Sequence, residues 1–126
     1  MILRKCSRAD GTGRRGERIA ARWLRRRGFR ILDRNVRRGR YEIDILAVAP
    51  EGRALVVVEV KSGRAGFERL AGKVDRTKRR RIAAVAADVM AGRTDVPIRF
   101  DVVLVQFEGD GRWRLRHLPS AFDHGD

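Results

Sequence analysis

The chain of 126 residues has few of the side chains that form crosslinks or bind soft metals. Cys6 is its only cysteine, which excludes an intrachain disulfide and makes a reducing compartment the simpler expectation. One cysteine and two distant histidines, His117 and His124, cannot form a closed tetrahedral zinc site. Carboxylates are therefore the expected ligands of any metal, and His117 is expected only to end a strand.

Long apolar runs are missing as well. No run approaches the length needed to cross a bilayer, and residues 1–13 lack the apolar stretch of a secretory signal. We therefore expect a soluble, cytoplasmic protein. The length fits one domain over residues 1–126, in which the polar, glycine-containing residues 1–12 are expected to be disordered.

Basic side chains are abundant. Thirty Lys and Arg residues against sixteen Asp and Glu residues give a formal net charge of +14 and a pI near 11.6. Such an excess attracts polyanions, of which nucleic acid is the commonest. Nearly all of these residues are arginines, and a compositional bias of the whole proteome would produce the same excess. The charge therefore favours a nucleic-acid partner without establishing it.

Hydrophobic periodicity predicts two helices and five strands. The first helix covers residues 14–27, buries Ile19, Ala20, Trp23 and Leu24, and ends at Gly28. Strands are expected at residues 29–36, 42–48, 55–61, 98–107 and 112–118, a mobile loop at 62–72, and a second helix at 74–91. A right-handed crossover through that helix makes the third and fourth strands parallel. The prediction is one α/β domain of order αβββαββ, with a mixed central sheet flanked by helices.

The second and third strands read as a hairpin closed by a loop at residues 50–53. This register places Asp44 opposite Glu59, with Cβ atoms about 5 Å apart, and Glu42 opposite Lys61. Alternation puts Glu59 and Lys61 on one face. The other face is expected to carry Ile43, Ile45, Val56, Val58 and Val60.

Two carboxylates held this close in a half-buried sheet repel each other unless a cation, a shared proton or a basic side chain compensates them. Asp44 and Glu59 therefore indicate a divalent ion such as Mg²⁺, which keeps waters and leaves positions for a phosphate and an attacking water. Glu17 lies at the edge of the first helix's apolar stripe and points partly toward the sheet. It either serves this site or is an acidic residue favoured by the helix dipole.

The predicted second helix begins with a basic cluster. Arg76, Lys78, Arg79 and Arg80 cover too much of the helix circumference for a single solvated stripe, and the helix dipole disfavours cations there. These residues are the expected contacts to nucleic-acid phosphates. The alternative is a solvated helix end. Arg99 and Asp101 are expected to form either a structural pair or a surface contact within the fourth strand, outside the site.

Several short motifs resemble those of the YraN family of uncharacterised bacterial, endonuclease-like proteins. In chain order they are Gly13-Arg-Arg-Gly16-Glu17-Arg-Ile-Ala20, Glu42-Ile43-Asp44, Val58-Glu59-Val60-Lys61, Arg99-Phe100-Asp101-Val102-Val103 and Ala121-Phe122. The resemblance covers nearly the whole chain. The chain departs from it at Tyr41, where the family usually has glycine.

The YraN family is similar to the PD-(D/E)XK nuclease superfamily and to archaeal Holliday-junction resolvases. The resemblance implies a restriction-endonuclease-like fold and a magnesium-dependent site that cleaves phosphodiesters. The two acidic ligands of the superfamily fall on Asp44 and Glu59, its lysine on Lys61, and its helix-one acid on Glu17.

The expected function is therefore metal-dependent endonuclease cleavage, with DNA favoured over RNA, branched DNA as a candidate substrate, and a homodimer left open. Asp44, Glu59 and the Val60 carbonyl hold Mg²⁺ or Mn²⁺ in this hypothesis, and Lys61 positions the attacking water or stabilises the transition state. Glu17 orients a metal-bound water.

Glu42 has two interpretations: a salt bridge that holds Lys61, which we favour, or a hydrogen bond that supports a metal ligand. Two other functions also remain. The chain either binds nucleic acid without cleaving it, through a vestigial acidic site, or uses its arginines to bind an acidic protein.

Overall fold

The computed structural model describes residues 11–39, 41–74 and 96–122. The elements in this part of the chain are α1 (Gly11–Arg26), β1 (Arg30–Arg38), β2 (Tyr41–Val48), β3 (Leu55–Gly63), α2 (Phe67–Gly72), β4 (Ile98–Phe107) and β5 (Trp113–Phe122). All five strands join one sheet in the order β1-β2-β3-β4-β5. Only β3 and β4 are parallel, so this is an α/β domain with a mixed sheet.

Helix α1 buries the stripe that its sequence predicts. Ala20 and Leu24 are fully buried, while Ile19 and Trp23 pack at the edge of the same cluster. At its end, the Phe29 N–H donates to the Leu24 carbonyl and the Gly28 N–H to the Arg25 carbonyl, both at 3.0 Å. This is a Schellman motif, which requires a left-handed residue, and Gly28 has φ +93°.

The parallel pair is confirmed, and the hairpin register is confirmed only over residues 45–48 and 55–58. The predicted pairs Asp44–Glu59 and Glu42–Lys61 are not part of the ladder. Pairs run from Ile45–Val58 to Val48–Leu55, and the Ala49 N–H donates to the Ala54 carbonyl at 3.0 Å. Strands β3 and β4 pair in parallel from Leu55–Ile98 to Gly63–Gln106. The buried strand pair at the centre of the sheet is therefore as the sequence predicts.

The core lies on both sides of the sheet. The side that packs against α1, called the α1 face here, contains Ala47, Val56, Val58, Val60, Val103 and Val105 together with Ala20 and Leu24. The opposite face carries one cluster around Leu46, Val57 and Phe100 and another in which Leu70 of α2 packs against Val102 and Leu104. Each central strand is thus buried on both faces, which explains its nearly continuous apolar sequence.

Three boundaries differ from prediction. Residues 62–72 are not a loop: β3 continues to Gly63, and α2 follows. A six-residue helix that buries only Leu70 leaves no repeating pattern in the sequence. Helix α1 begins at Gly11, so residues 11 and 12 are helical, and β5 extends to Phe122.

Some predictions fall outside the described residues. These are most of the second helix, which is predicted at residues 74–91, and the predicted disorder of residues 1–10. Within the part of the chain that the structure describes, no helix is both long and apolar enough to span a membrane.

A buried polar network joins β4 to β5. The Asp101 carboxylate accepts two bonds of 2.9 Å from Arg99 and one of 3.0 Å from the Ser120 N–H. His117 Nε2 lies 2.7 Å from Asp101 Oδ2, and its ring packs edge-on against Trp23 and Phe29. The Arg99–Asp101 pair is therefore as predicted. The strand-end interpretation of His117 is wrong, because β5 continues beyond it and its ring is part of the packing under α1.

This network fixes the charge state of Asp101. Burial alone disfavours the carboxylate, but the bonds from His117, Arg99 and the Ser120 N–H outweigh it, so the pKa of Asp101 lies below its ordinary value. The bond to Asp101 in turn raises the pKa of Arg99. A carboxylate with a lowered folded pKa contributes stability above its unfolded pKa, and this contribution is lost as the pH falls through the folded pKa.

We predict that Asp101→Asn lowers the free energy of unfolding at pH 7 by about 3 kcal/mol, because it breaks a buried charged network. The difference in free energy of unfolding between the variant and wild type should narrow as the pH falls from about 4 toward the lower pKa of Asp101 in the folded protein. Urea denaturation at several pH values measures both effects. Asp110→Asn, which removes an exposed partner of Arg112, is the control and should cost less than about 1 kcal/mol. A gap for Asp101→Asn that does not change with pH would contradict this account.

Candidate metal centre

Three carboxylates converge between α1 and the sheet. Glu17 of α1 and Glu42 and Asp44 of β2 each offer one oxygen, and these three oxygens lie within 4.8 Å of one another. Glu17 is 2% exposed and Asp44 is 8% exposed, while Glu42 is partly buried. Three acidic groups at this spacing form a site that can bind a cation.

A change in strand alternation brings Glu42 to the α1 face. Regular alternation would put Ile43 beside Ile45, but Ile43 packs with Val36 and Leu46 on the opposite face. The prediction that Ile43 and Ile45 share a face is therefore wrong. Since neighbours in a strand point to opposite sides, Glu42 is directed toward α1, where Glu17 lies.

Asn35 of β1 lies beside this irregularity, between the pairs Arg34–Ile45 and Val36–Ile43. Its φ is +54°, a left-handed conformation that asparagine adopts more readily than most residues. When the amide is oriented to satisfy the hydrogen-bond network, its nitrogen donates to both Glu17 oxygens at 3.2 Å. Asn35 therefore holds the Glu17 carboxylate in place.

Asp44 occupies the point where β2 and β3 separate. The regular pairs stop at Ile45–Val58, and the next donor on β3, the Val60 N–H, bonds instead to Asp44 Oδ2 at 2.8 Å. A side-chain oxygen thus replaces a main-chain acceptor. The carboxylate of Asp44 is fixed in the notch between the two strands.

The hydrogen bonding of the Glu42 carboxylate indicates whether a cation fits this site. Its Oε2 accepts a long bond of 3.4 Å from Arg37, while its Oε1 is buried without a hydrogen-bond partner among the described residues. A buried carboxylate oxygen without a partner is unfavourable. A cation bound by the three acids would compensate it. Because all three ligands are carboxylate oxygens, hard ions such as Mg²⁺, Mn²⁺ and Ca²⁺ fit best.

Glu59 and Lys61 form a separate pair. Lys61 Nζ lies 3.9 Å from Glu59 Oε1, and both side chains are partly exposed. Val58 and Val60 pack on the α1 face, so alternation directs Glu59 and Lys61 to the opposite face. Among the described residues, Glu59 is not a member of the acidic group. The structure thus groups Asp44 with Glu17 and Glu42, and groups Glu59 with Lys61.

The remaining predicted residues have the following positions. Val60, expected to offer its carbonyl to a metal, contacts Asp44 through its N–H. Glu42 pairs with Arg37, whereas the favoured interpretation paired it with Lys61. The basic cluster of Arg76, Lys78, Arg79 and Arg80 lies outside the described residues.

The sequence predicts one contributor in a different role and does not predict another. Glu42 was assigned a supporting role, although its position two residues before Asp44 on one strand was a signal that both can face the same site. Asn35 has no predicted role in the site. Asparagine is depleted from strands, so an asparagine inside a strand pattern was a signal of unusual backbone.

A close approach of α1 to β3 sets the distance between the Glu17 backbone and the sheet. A Cβ atom built on Gly16 would lie 2.5 Å from both Cβ and Oγ of Ser62, which is closer than real atoms come. Only glycine permits this contact. Because Glu17 is the next residue, the contact determines how far its carboxylate reaches toward β2.

Comparison with known proteins identifies the family. The model of the uncharacterised protein family UPF0102 matches residues 16–105. A UPF0102 protein of Anaeromyxobacter dehalogenans is 48% identical over 117 residues, covering 88% of this chain and 83% of the relative. One of Pelobacter propionicus is 41% identical over 117 residues, covering 89% and 82%. The chain therefore belongs to family UPF0102, the YraN-like group that its motifs resemble.

A solved structure of Pyrococcus furiosus SfsA in complex with Ca²⁺ is also similar to this chain. It is 18% identical at a TM-score of 0.35, and the match covers 84% of this chain and 62% of that one. A likeness this weak supports no argument about fold or function.

We predict that Gly16→Ala lowers the free energy of unfolding by about 1–2 kcal/mol, because the new methyl group forces α1 away from Ser62. Thermal or urea denaturation measures this loss. The control is Gly109→Ala, where nothing lies within 4 Å and a change below about 0.5 kcal/mol is expected. The cost of Gly16→Ala should shrink in a Ser62→Gly background. An equal cost in both backgrounds would show that this contact is not responsible.

Proposed function

We propose that this protein is a metal-dependent endonuclease that hydrolyses phosphodiester bonds of nucleic acid. The observation that carries the proposal is the convergence of Glu17, Glu42 and Asp44, with one buried Glu42 oxygen lacking a partner among the described residues. A restriction-endonuclease-like architecture belongs to the same proposal. The mixed sheet with α1 beside the acidic strands is compatible with it.

The three carboxylates would hold the ion, and Mg²⁺ or Mn²⁺ suits their oxygen atoms. When bound, such an ion stabilises negative charge on a phosphate and lowers the pKa of a coordinated water. Each acid has a defined support: Asn35 fixes Glu17, the Val60 N–H fixes Asp44, and Arg37 contacts Glu42. Rigid support of this kind is what keeps metal ligands in a productive orientation.

Lys61 and Glu59 act beside the ion site in this proposal. They are the residues on either side of Val60 in β3, and the Val60 N–H donates to Asp44. The Lys61 side chain is 26% exposed on the face opposite to the three carboxylates, so in this proposal it moves around the end of the sheet to contact the same phosphate. Its role would be to stabilise charge on the phosphate, with Glu59 orienting it.

The charge of the chain supports a nucleic-acid substrate. The chain carries a net charge of +14, so the protein as a whole attracts a polyanion, while the group of three carboxylates repels one unless a cation is bound. That combination suits a site where a metal ion contacts a phosphate. We favour DNA over RNA, and branched DNA among DNA substrates.

A second candidate is a nucleic-acid-binding protein without catalysis. The observation that favours it is the pairing of Glu59 with Lys61 on the face opposite to Val58 and Val60, away from the three-carboxylate group. If this arrangement persists when nucleic acid binds, the acidic site and the lysine cannot act on one phosphate. Binding would then remain without cleavage.

We predict cleavage that depends on Mg²⁺ or Mn²⁺ in an assay of branched, flapped, single-stranded and duplex substrates. Glu42→Gln and Asp44→Asn should each reduce the rate about a hundredfold or more, because the ion supplies several kcal/mol of transition-state stabilisation. Lys61→Ala should slow cleavage without weakening metal binding.

The control is Glu51→Gln, which removes one exposed carboxylate from the hairpin loop and should leave the rate unchanged. Metal-dependent cleavage that survives both Glu42→Gln and Asp44→Asn would contradict the proposed site. Salt-sensitive binding without cleavage under either metal would contradict the nuclease and support the second candidate.

A further inference from the structure

A groove runs between α1 and the start of β5, on the far side of α1 from Asn35. It encloses about 300 Å³, and its walls include Arg15, Arg18, Arg22, Arg26, Trp23 and Trp113. We infer that this groove binds a single-stranded segment of nucleic acid, with Trp113 stacked on an unpaired base and the arginines on the flanking phosphates. The inference rests on the proposed function in taking nucleic acid as the partner.

The arginines form one stripe. Arg15, Arg22 and Arg26 are seven and four residues apart, so they point to the same side of α1, with Arg18 beside them. At the rise of an α-helix, the stripe is roughly 16 Å long. All four side chains are exposed, and none of the described residues that line this groove is acidic. An extended polyanion is the ligand that complements such a surface.

Trp113 supplies the aromatic face. It is 41% exposed, and among the described large apolar side chains only Leu32 is comparably exposed. Trp23, the other tryptophan of the groove, is already covered: its ring packs edge-on against His117 at 5.3 Å and beneath the Arg27 guanidinium at 4.5 Å. Trp113 is therefore the ring that can accept a base, and base stacking on aromatic rings is sequence-tolerant.

The arginine stripe and the exposed Trp113 ring together favour a single strand over a duplex. In a duplex the faces of the bases are covered by their neighbours, so an exposed tryptophan on the protein cannot stack on them. A duplex would use only the arginines. An unpaired base next to its own phosphates uses both kinds of side chain at once.

The basic surface continues toward the end of β3. Arg15 is held at the groove's end, because it donates to the Gly111 carbonyl at 2.8 Å and covers the Phe107 ring. Arg15 and Arg18 also line a second cavity of about 380 Å³, which includes Arg64 and one acid, Glu108. Arg64 follows β3 directly. A strand in the groove thus has a basic path to the end of the strand that carries Lys61.

The test measures binding of labelled oligothymidylate and of a blunt-ended duplex with the same total number of nucleotides, by fluorescence anisotropy in EDTA. Trp113→Ala should weaken binding of the single strand about tenfold, with a change below about twofold for the duplex. Trp113→Phe should restore most of the loss because it keeps an aromatic face. Equal binding by Trp113→Ala and wild type would overturn the inference.

Arg22→Ala/Arg26→Ala tests the phosphate contacts. Two lost contacts should reduce the slope of log affinity against log salt by about 1.4 for a single strand. The matched control is Arg53→Ala/Arg69→Ala, which removes the same charge from the hairpin loop and from α2 on the opposite face. An equal change of slope in both double variants would overturn the inference. So would displacement of the strand by polyglutamate at equal charge, which would indicate an acidic protein partner.

Binding in EDTA separates this inference from the proposed nuclease. A protein that binds single strands through Trp113 but never cleaves them supports the groove and contradicts the nuclease. A protein that cleaves with Mg²⁺ yet binds equally well without Trp113 contradicts the groove alone.

Discussion

The structure depends on one electrostatic constraint: three carboxylates lie together between a helix and a sheet. Glu17 and Asp44 are almost completely buried, and like charges at this spacing repel strongly where water is excluded. Hydrogen bonds from the Val60 N–H, the Asn35 amide and Arg37 compensate part of this repulsion. The Glu42 oxygen that they leave unsatisfied is the reason to place a cation there.

The fold delivers these groups through backbone irregularity. Gly16 lets α1 approach Ser62, Asn35 adopts a left-handed conformation, and β2 changes alternation before Ile45. Each departure carries a cost in a regular element, and all three lie around the same group of carboxylates. Irregular backbone also occurs elsewhere, as at Ser120 with φ +50°, but these three departures together position the carboxylates. The arginine groove lies on the other side of the same helix, so α1 would serve both chemistry and binding.

Much of the fold could be predicted because its signals are local and repetitive. The apolar stripe of α1, the hairpin register around residues 50–53 and the parallel β3–β4 pair each follow from periodicity, turn chemistry or crossover rules. The site was predictable only in part. Asp44 and Glu17 are expected site residues, but a shift of one position in alternation moves side chains to the other face, and only Asn35 in the neighbouring strand indicated unusual backbone there. The prediction therefore joined Asp44 to Glu59, while the structure joins it to Glu42. Helix α2 is not predicted because a single buried leucine gives no helical periodicity in the sequence.

The most direct test of the central claim is the free energy of unfolding of wild type and Glu42→Gln, measured in EDTA and in Mn²⁺. Without metal, Glu42→Gln should be no less stable than wild type, because it removes one of three repelling charges. With Mn²⁺ at about a hundred times its dissociation constant, wild type should gain about 2.7 kcal/mol and Glu42→Gln much less. An equal gain in both proteins, or a variant that is less stable in EDTA, would contradict a cation site formed by these carboxylates.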